Sequence, residues 1–215
     1  MQPRTVTVGP LTAGVADAIA ASQTPLAAGF LDLDGATVVE GVAVLDAARR
    51  LLFTPAGAEG TNDTVWTVYG TDWNGNTIQE TVAGVNNPAT ASTLYDYKTV
   101  TAIAVNKAQD GAIQVGTDGV ASSRPVFLDT FAPAPTAIQV SVTGSVNYTV
   151  RQSVQDPNQL SGGYPALTWE DHPDSALVGA STSAQGNYAY LPAVTQVVLN
   201  SGDGSVSFTV IQADA

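Results

Sequence analysis

Residues 64–84, TVWTVYGTDWNGNTIQETVAG, alternate apolar and polar side chains, break at Asn74-Gly75, and alternate again. A period of two puts successive side chains on opposite faces of a strand, so the stretch predicts a β-hairpin. Two registers compete. A two-residue turn at Asn74-Gly75 sets Val68 opposite Thr81 and mixes Trp66 and Val68 with Thr77, Gln79 and Thr81 on one face. A three-residue loop, Trp73-Asn74-Gly75 with Gly75 left-handed, instead groups Trp66 and Val68 with Ile78, Glu80 and Val82. Thr67, Tyr69 and Thr71 then face Thr77, Gln79 and Thr81. The second register separates core from solvent better, and it is the one predicted, with Asp72 and Asn76 flanking the turn.

The same period recurs along the chain. From FLDLDG onward the pattern is strand-like through ATVVEGVAVLD and RRLLFT, with breaks at Gly35 and at DAAR, and then the loop PAGAEGTND. Further strands are expected in YDYKTVTAIAVN, AIQVGT and PVFLD. A later block holds IQVSVTGSVNYTVRQSV, LTWEDHP, NYAYLPAVTQVVLNSG and GSVSFTVIQ. In its last strand Val206, Phe208, Val210 and Gln212 share one face and Ser205, Ser207, Thr209 and Ile211 the other, as a closing strand with one buried face requires. Short strands spaced about ten residues apart imply a sandwich or barrel.

Residues 1–28 break the pattern. TVTV predicts a strand and Gly9-Pro10 a turn, while AGVADAIAAS has the small apolar residues of a short helix or of an extended arm lying on a neighbour. Around TFAPAPTA, Pro133 and Pro135 make a stiff connection without backbone donors. The predicted organisation is therefore all-β: an N-terminal arm over 1–28, a first β-sandwich-like domain over 29–132, and a second over 133–215.

Composition narrows the roles. At 215 residues the chain can bury about 70% of its unfolded surface. It has no cysteine, which removes disulfides, thiolate-zinc sites and thiol nucleophiles together. Nineteen acidic against seven basic residues give a formal charge of −12, the wrong sign for gripping nucleic acid or anionic membranes. The opening MQPRTVTVGPLTAG shows no secretory leader, and no run approaches the ~18 apolar residues of a membrane span. A soluble chain is expected, its 20 Gly and 12 Pro punctuating strands of Thr, Val and Ser.

The order of these phrases resembles a family of structural proteins of tailed bacteriophages. The resemblance rests on TVTVGPLTAG, IAASQTPLAAG, VVEGVAVLDAARRLLFT, YGTDWNGNTIQETVAG and KTVTAIAV, and continues in VNYTVRQSVQDP, TWEDHP and VVLNSGDGSVSFTVIQ. It covers nearly the whole chain and is carried by combined order, since each motif is only a turn or strand signature. It implies a non-enzymatic virion component, assembled in the host cytoplasm, acting as a decoration or cement protein on the capsid. Collar or tail-associated positions, and a receptor- or carbohydrate-binding virion module, are the alternatives. The implied partners are the major capsid protein or other virion proteins and copies of the chain itself, a trimer by analogy with decorating proteins. No cofactor, metal or catalytic residue is implied.

Chemistry-bearing residues are sparse. WEDHPDS gathers Glu170, Asp171, the sole histidine His172, and Asp174, a set able in principle to exchange protons or to hold a hard cation; a polar loop turned by His172-Pro173 is the simpler reading. DWNGN opens like a calcium loop, but Thr77 and Ala83 stand where an EF-hand needs Gly and Glu. Asp32 and Asp34 in LDLDG read as solvated acids. One histidine and no Gly-x-Ser-x-Gly elbow leave no serine triad, and the glycines of GAEG and LSGGYP lack the alternating helices of a nucleotide fold. Trp66, Tyr69, Trp73, Trp169, Tyr188 and Tyr190 offer flat surfaces for sugar or protein. Trp66 belongs to the core in the predicted register. Trp73, at the turn tip beside Asn74, is read as a contact with another subunit, together with Thr7, Val8 and Leu11 of the arm.

Overall fold

The computed structural model describes residues 3–129, 135–160 and 167–212. Among them every regular element is a strand except two 3-10 turns, Pro157–Gln159 and Ser175–Leu177. The fold is all-β, as expected, and no helix of the described residues is long and apolar enough to cross a membrane. The helix considered for AGVADAIAAS does not form. Ile19 and Ala20 there are fully buried, and the Ile19 amide donates to Val115 at 3.0 Å, so a sheet edge captures the segment.

The chain divides into two compact units, Thr12–Gly119 and a second made of the residues up to Leu11 with those from Val120 onward. This division replaces the boundaries expected from sequence. Residues 1–28 are not a separate arm: the strand β1, Arg4–Val8, pairs along its whole length with a strand near the other end of the chain, and residues 12–28 belong to the first unit. Of the small side chains that suggested an arm, Ala18, Ile19 and Ala20 are buried, while Ala13, Val15 and Ala16 remain exposed. The boundary expected near Pro133 is not where the units part, and Pro133 itself lies outside the described residues.

The first unit holds β2 (Ala20–Gln23), β3 (Gly29–Phe30), β4 (Val38–Val39), β5 (Val42–Pro55), β6 (Val65–Thr71), β7 (Thr77–Ala83), β8 (Ala91–Ser92), β9 (Tyr97–Val105) and most of β10 (Ile113–Ser122). Its main sheet runs β10-β5-β9-β6-β7. The hairpin register is the predicted one: Trp66 opposes Val82, Val68 opposes Glu80 and Thr71 opposes Thr77. The Asp72 amide donates to Asn76 at 2.9 Å, leaving Trp73-Asn74-Gly75 as the loop, with Gly75 at φ +85°, where a side chain would be strained. The DAAR break is no break. β5 continues through it, with its register against β9 shifting between Val44 and Arg49, and its far half pairs with β8 through Leu52 and Phe53. Conversely, ATVVEGVAVLD is two strands, because Glu40 and Gly41 take φ of +52° and +80° and reverse the chain between Val39 and Val42. Inside, Trp66 stacks on Phe53 with ring centroids 4.9 Å apart and planes 10° from parallel, and the indole N–H donates to Gln109 at 3.1 Å.

The second unit adds β11 (Val126–Phe127), β12 (Thr136–Thr143), β13 (Val146–Ser153), β14 (Glu170–Asp171), β15 (Ala184–Asn187), β16 (Val194–Gly202) and β17 (Ser205–Gln212). One sheet runs β1-β17-β12-β15; in the other, β14, β13 and β16 are neighbours, with β11 and the end of β10 also on β16. The two sheets contact each other through β1 with β16 and β13 with β17, a sandwich-like arrangement. The alternation read in the last strand is present: Val206, Phe208, Val210 and Gln212 are buried, while Ile211 is exposed. β17 closes nothing, however; it lies between β1 and β12.

Truncating a large, fully buried aromatic ring removes both transfer free energy and packing. Trp66→Ala is expected to lower the unfolding free energy by about 3–5 kcal/mol in urea denaturation, whereas Thr67→Ala, the next residue on the outer face, should change it by less than about 0.5 kcal/mol.

Candidate functional site

The acidic side chains are the densest chemistry in the sequence, so their placement decides what the chain can do. Asp72, 2% exposed, sits beneath the hairpin loop. Its carboxylate accepts from the amides of Asn74 and Asn76 at 2.7 and 2.9 Å and from the Asn76 side chain at 3.0 Å. The turn reading of DWNGN is what forms. Glu59, fully buried, accepts from the amides of Asp110 and Gly111 at 2.8 and 2.9 Å and from the Thr64 hydroxyl at 2.9 Å. Gly57 in the same GAEG loop lies so close to Gly111 that a Cβ would stand 2.4 Å from its nitrogen, which accounts for the glycine without any phosphate. Gly162 and Gly163 of LSGGYP lie outside the described residues.

Two carboxyls are shifted in opposite directions. Glu80 on β7 accepts from the amides of Leu94 and Tyr95 at 2.6 and 3.0 Å, drawing the β7 edge toward β8. Burial, with Asp96 nearby, pushes its carboxyl above the usual range despite those amides and Arg50. Burial also raises Asp46, but the Thr12 amide and hydroxyl, Arg49 and the Ala47 amide outweigh it and hold Asp46 below its ordinary value. The Arg49 guanidinium, 2% exposed, donates to Asp46 at 3.2 Å and to the carbonyls of Thr12 and Asp118, each at 2.9 Å, while its Nε has no hydrogen-bond partner among the described residues. The bulge in β5 is organised around this buried cation.

The WEDHPDS acids do not converge. Glu170 and Asp171 are exposed on β14, opposite Gln152 and Arg151. His172 is buried, its ring 4.9 Å from that of Tyr188, and Nδ1 accepts from the Asp174 amide at 3.1 Å. Burial holds the imidazole below its ordinary pKa, against Asp174 and the Asn187 and Asp174 backbone. Asp174 caps the following 3-10 turn through the Ala176 amide at 2.9 Å. Among the described residues no group of three His, Asp or Glu side chains is placed to hold a metal ion. Asp34 accepts from the Ala21 amide at 2.8 Å, and the Asp32 backbone is bridged by Gln23; the two lie in an irregular segment rather than on a strand.

The contact residues chosen from sequence are dispersed. Asn74 and Thr7 are exposed and Trp73 is half-buried, but Val8 and Leu11 are buried, at 3% and 7% exposure, and are unavailable to a neighbour. The Thr5 and Thr7 hydroxyls bond those of Thr209 and Ser207 at 2.9 and 3.0 Å. Of the other aromatics, Trp169 lies under Arg151 with 4.8 Å from guanidinium carbon to ring centroid, Tyr188 is buried against Thr195, and Tyr190 is exposed.

The registers reveal a surface that sequence reading missed. Outward positions of the first unit's sheet form rows: Phe30, Ala104, Thr67 and Thr81; then Ala102, Tyr69 and Gln79; then Val44, Thr99, Thr71 and Thr77. Val39 stands opposite Val42 on the same face. None of these residues is charged. Phe30, Val39 and Val44 are 70%, 63% and 49% exposed. The outer face of β1, β17, β12 and β15 is also uncharged, with rows such as Thr5, Thr209, Gln139 and Gln185. The signal existed in the alternation itself, since the face opposite Trp66 and Val68 on the hairpin contains Thr, Tyr and Gln with Val65 and Ala83 at its end, and no charge.

No protein-family model and no curated protein matches the chain.

Removing the Asp72 carboxylate leaves two loop amides without their acceptor. Asp72→Ala should cost about 2–4 kcal/mol in chemical denaturation, with Asp72→Asn recovering part of it. For Glu80, a folded-state value above the ordinary 4.5 means that the folded chain binds the proton more tightly. Its contribution is therefore greatest below that value and declines as pH rises through the raised one. The stability advantage of the natural chain over Glu80→Gln should accordingly shrink from pH ~4 to pH ~7; an advantage that grows with pH would contradict the assignment.

Proposed function

We propose that this chain is a structural component of a tailed-bacteriophage virion, a capsid decoration or cement protein that stabilises the head through contacts between subunits. The observation that carries the reading is the division of labour between charge and surface. Asp72, Glu59, Glu80 and Asp46 are engaged in fastening loops, while the rows of the outer sheet faces are uncharged and, in the first unit, display exposed apolar side chains. Such a molecule works by contact. The ordered resemblance of its phrases to phage structural proteins supplies the setting, and assembly in the host cytoplasm suits a chain without cysteine.

The mechanism is mechanical. A protein bound across capsomer boundaries adds free energy to the closed shell that an open or burst shell lacks, so the equilibrium shifts toward the closed form. The partners are the major capsid protein or another virion protein and further copies of this chain. Contacts assigned to an N-terminal arm move elsewhere, because β1 is a full member of its sheet and is not free to clip a neighbour. Phe30, Val39, Val44 and the Asn74 tip take that place.

The test is imaging of particles with and without the protein. Purified chain added to undecorated heads should appear as bound density on the head exterior, and decorated heads should release DNA at a higher temperature than bare ones. Density at the collar or tail would overturn the decoration role and keep the virion setting; absence from particles would overturn both.

A further inference from the structure

We infer that the outer face of the first unit's sheet, centred on Phe30, Val39 and Val44, is a self-association surface that takes a second copy of this chain. The three residues are 70%, 63% and 49% exposed, and the registers put them on one side of one sheet. Phe30 stands opposite Ala104 and Val44 opposite Thr99, with Tyr69 and Ala102 paired between those rows. Scattered apolar residues on a surface need no explanation, but several on a single uncharged face resemble the centre of a protein interface, where aromatic residues are enriched and charges depleted.

Charge selects the occupant. The chain carries a formal charge of −12, so most contacts between two copies set carboxylates against carboxylates. In a twofold contact the same patch meets itself, and every charge on it meets its own image. Only positions without charge escape this, and the rows around Phe30, Val39 and Val44 have none, the nearest acids, Glu40 and Asp46, standing at their border. A basic partner, otherwise attractive to so acidic a chain, would seek carboxylates, which here stand only at the border, at Glu40 and Asp46, and not among the apolar rows. The uncharged outer face of the second unit is a poorer choice, because its side chains are hydroxyls and amides, several bonded to one another.

Size sets the strength. Four strands spaced about 4.8 Å apart and about seven residues long at ~3.3 Å per residue give a face of roughly 450 Å². Stable complexes bury about 800 Å² per partner, so the association is weak and shows at high concentration. Added salt strengthens it by screening the repulsion between the acidic remainders. The inference does not depend on the virion reading.

Sedimentation of the full chain from about 10 µM to about 1 mM, at ~0.05 and ~0.5 M salt, tests it. The expected result is a monomer–dimer equilibrium that tightens several-fold at the higher salt. Phe30→Glu and Val44→Glu should each weaken it at least ten-fold without shifting the thermal unfolding temperature, since both side chains are exposed. Gln139→Glu, on the second unit's outer face, should leave it unchanged. A chain that stays monomeric throughout, an equilibrium indifferent to Phe30→Glu and Val44→Glu, or one broken by Gln139→Glu overturns the inference. So does a monomer whose Phe30→Glu variant loses only its binding to phage heads, which would assign the face to another virion protein.

Discussion

Long connections between strands carry backbone N–H groups that no ladder satisfies, and in this protein carboxylates satisfy many of them. Asp72 gathers two amides under the hairpin loop, Glu59 two from a loop some fifty residues away, and Glu80 the pair that follows β8. A hydrogen bond to a charged acceptor is stronger than one between neutral groups, and an orphaned buried donor is costly. The irregular half of the first unit is therefore held by a small number of acids acting as hubs. The curl that brings β7 toward β8 depends on one of them.

This arrangement also shapes the surface. Much of the charge lies in loops and at turns, where it has structural employment, and the rows of the two outer sheet faces have none. Thr, Ser, Gln and Tyr occupy those faces in both units. A chain with 12% charged residues can then be strongly acidic overall and still present neutral sheet faces. Solubility of the free molecule and the capacity to bury a face in an assembly come from different parts of the same sequence.

The hairpin and the last strand were legible because each residue there obeys one rule, alternation, and the turn residues agreed with it. The three-residue loop register followed from sorting Glu80 with Val82 and Ile78, although the reason that an acid belongs on the inner side, the Leu94 and Tyr95 amides, lies far along the chain. Distance hid the rest. Pairing of β1 with β17 joins residues about two hundred positions apart, which no local pattern encodes, so a true edge strand looked like a loose arm. The Glu40-Gly41 reversal was missed because a left-handed glutamate is uncommon. DAAR read as a break because a buried Arg49 is intelligible only once Thr12 and Asp118 are placed around it. The exposed Phe30 drew no reading from FLDLD, because only its partner Ala104 shows which way it points.

The borders of the neutral face complete the argument. Glu40 lies at the hairpin turn directly after Val39, and Asp46 follows Val44 two residues along β5, both exposed. An apolar patch alone attracts any apolar partner in many orientations. A patch fenced by acids rejects those that bring its fence onto another copy's fence, at a cost that like charges impose and salt relieves. Asp46 cannot easily lose its charge, since Thr12, Arg49 and Ala47 stabilise the ionised form, so the fence on that side persists into mildly acidic solution. Its carboxylate thus does two things at once: it closes the shell of donors around the β5 bulge, and it limits the ways in which the face beside it can be covered.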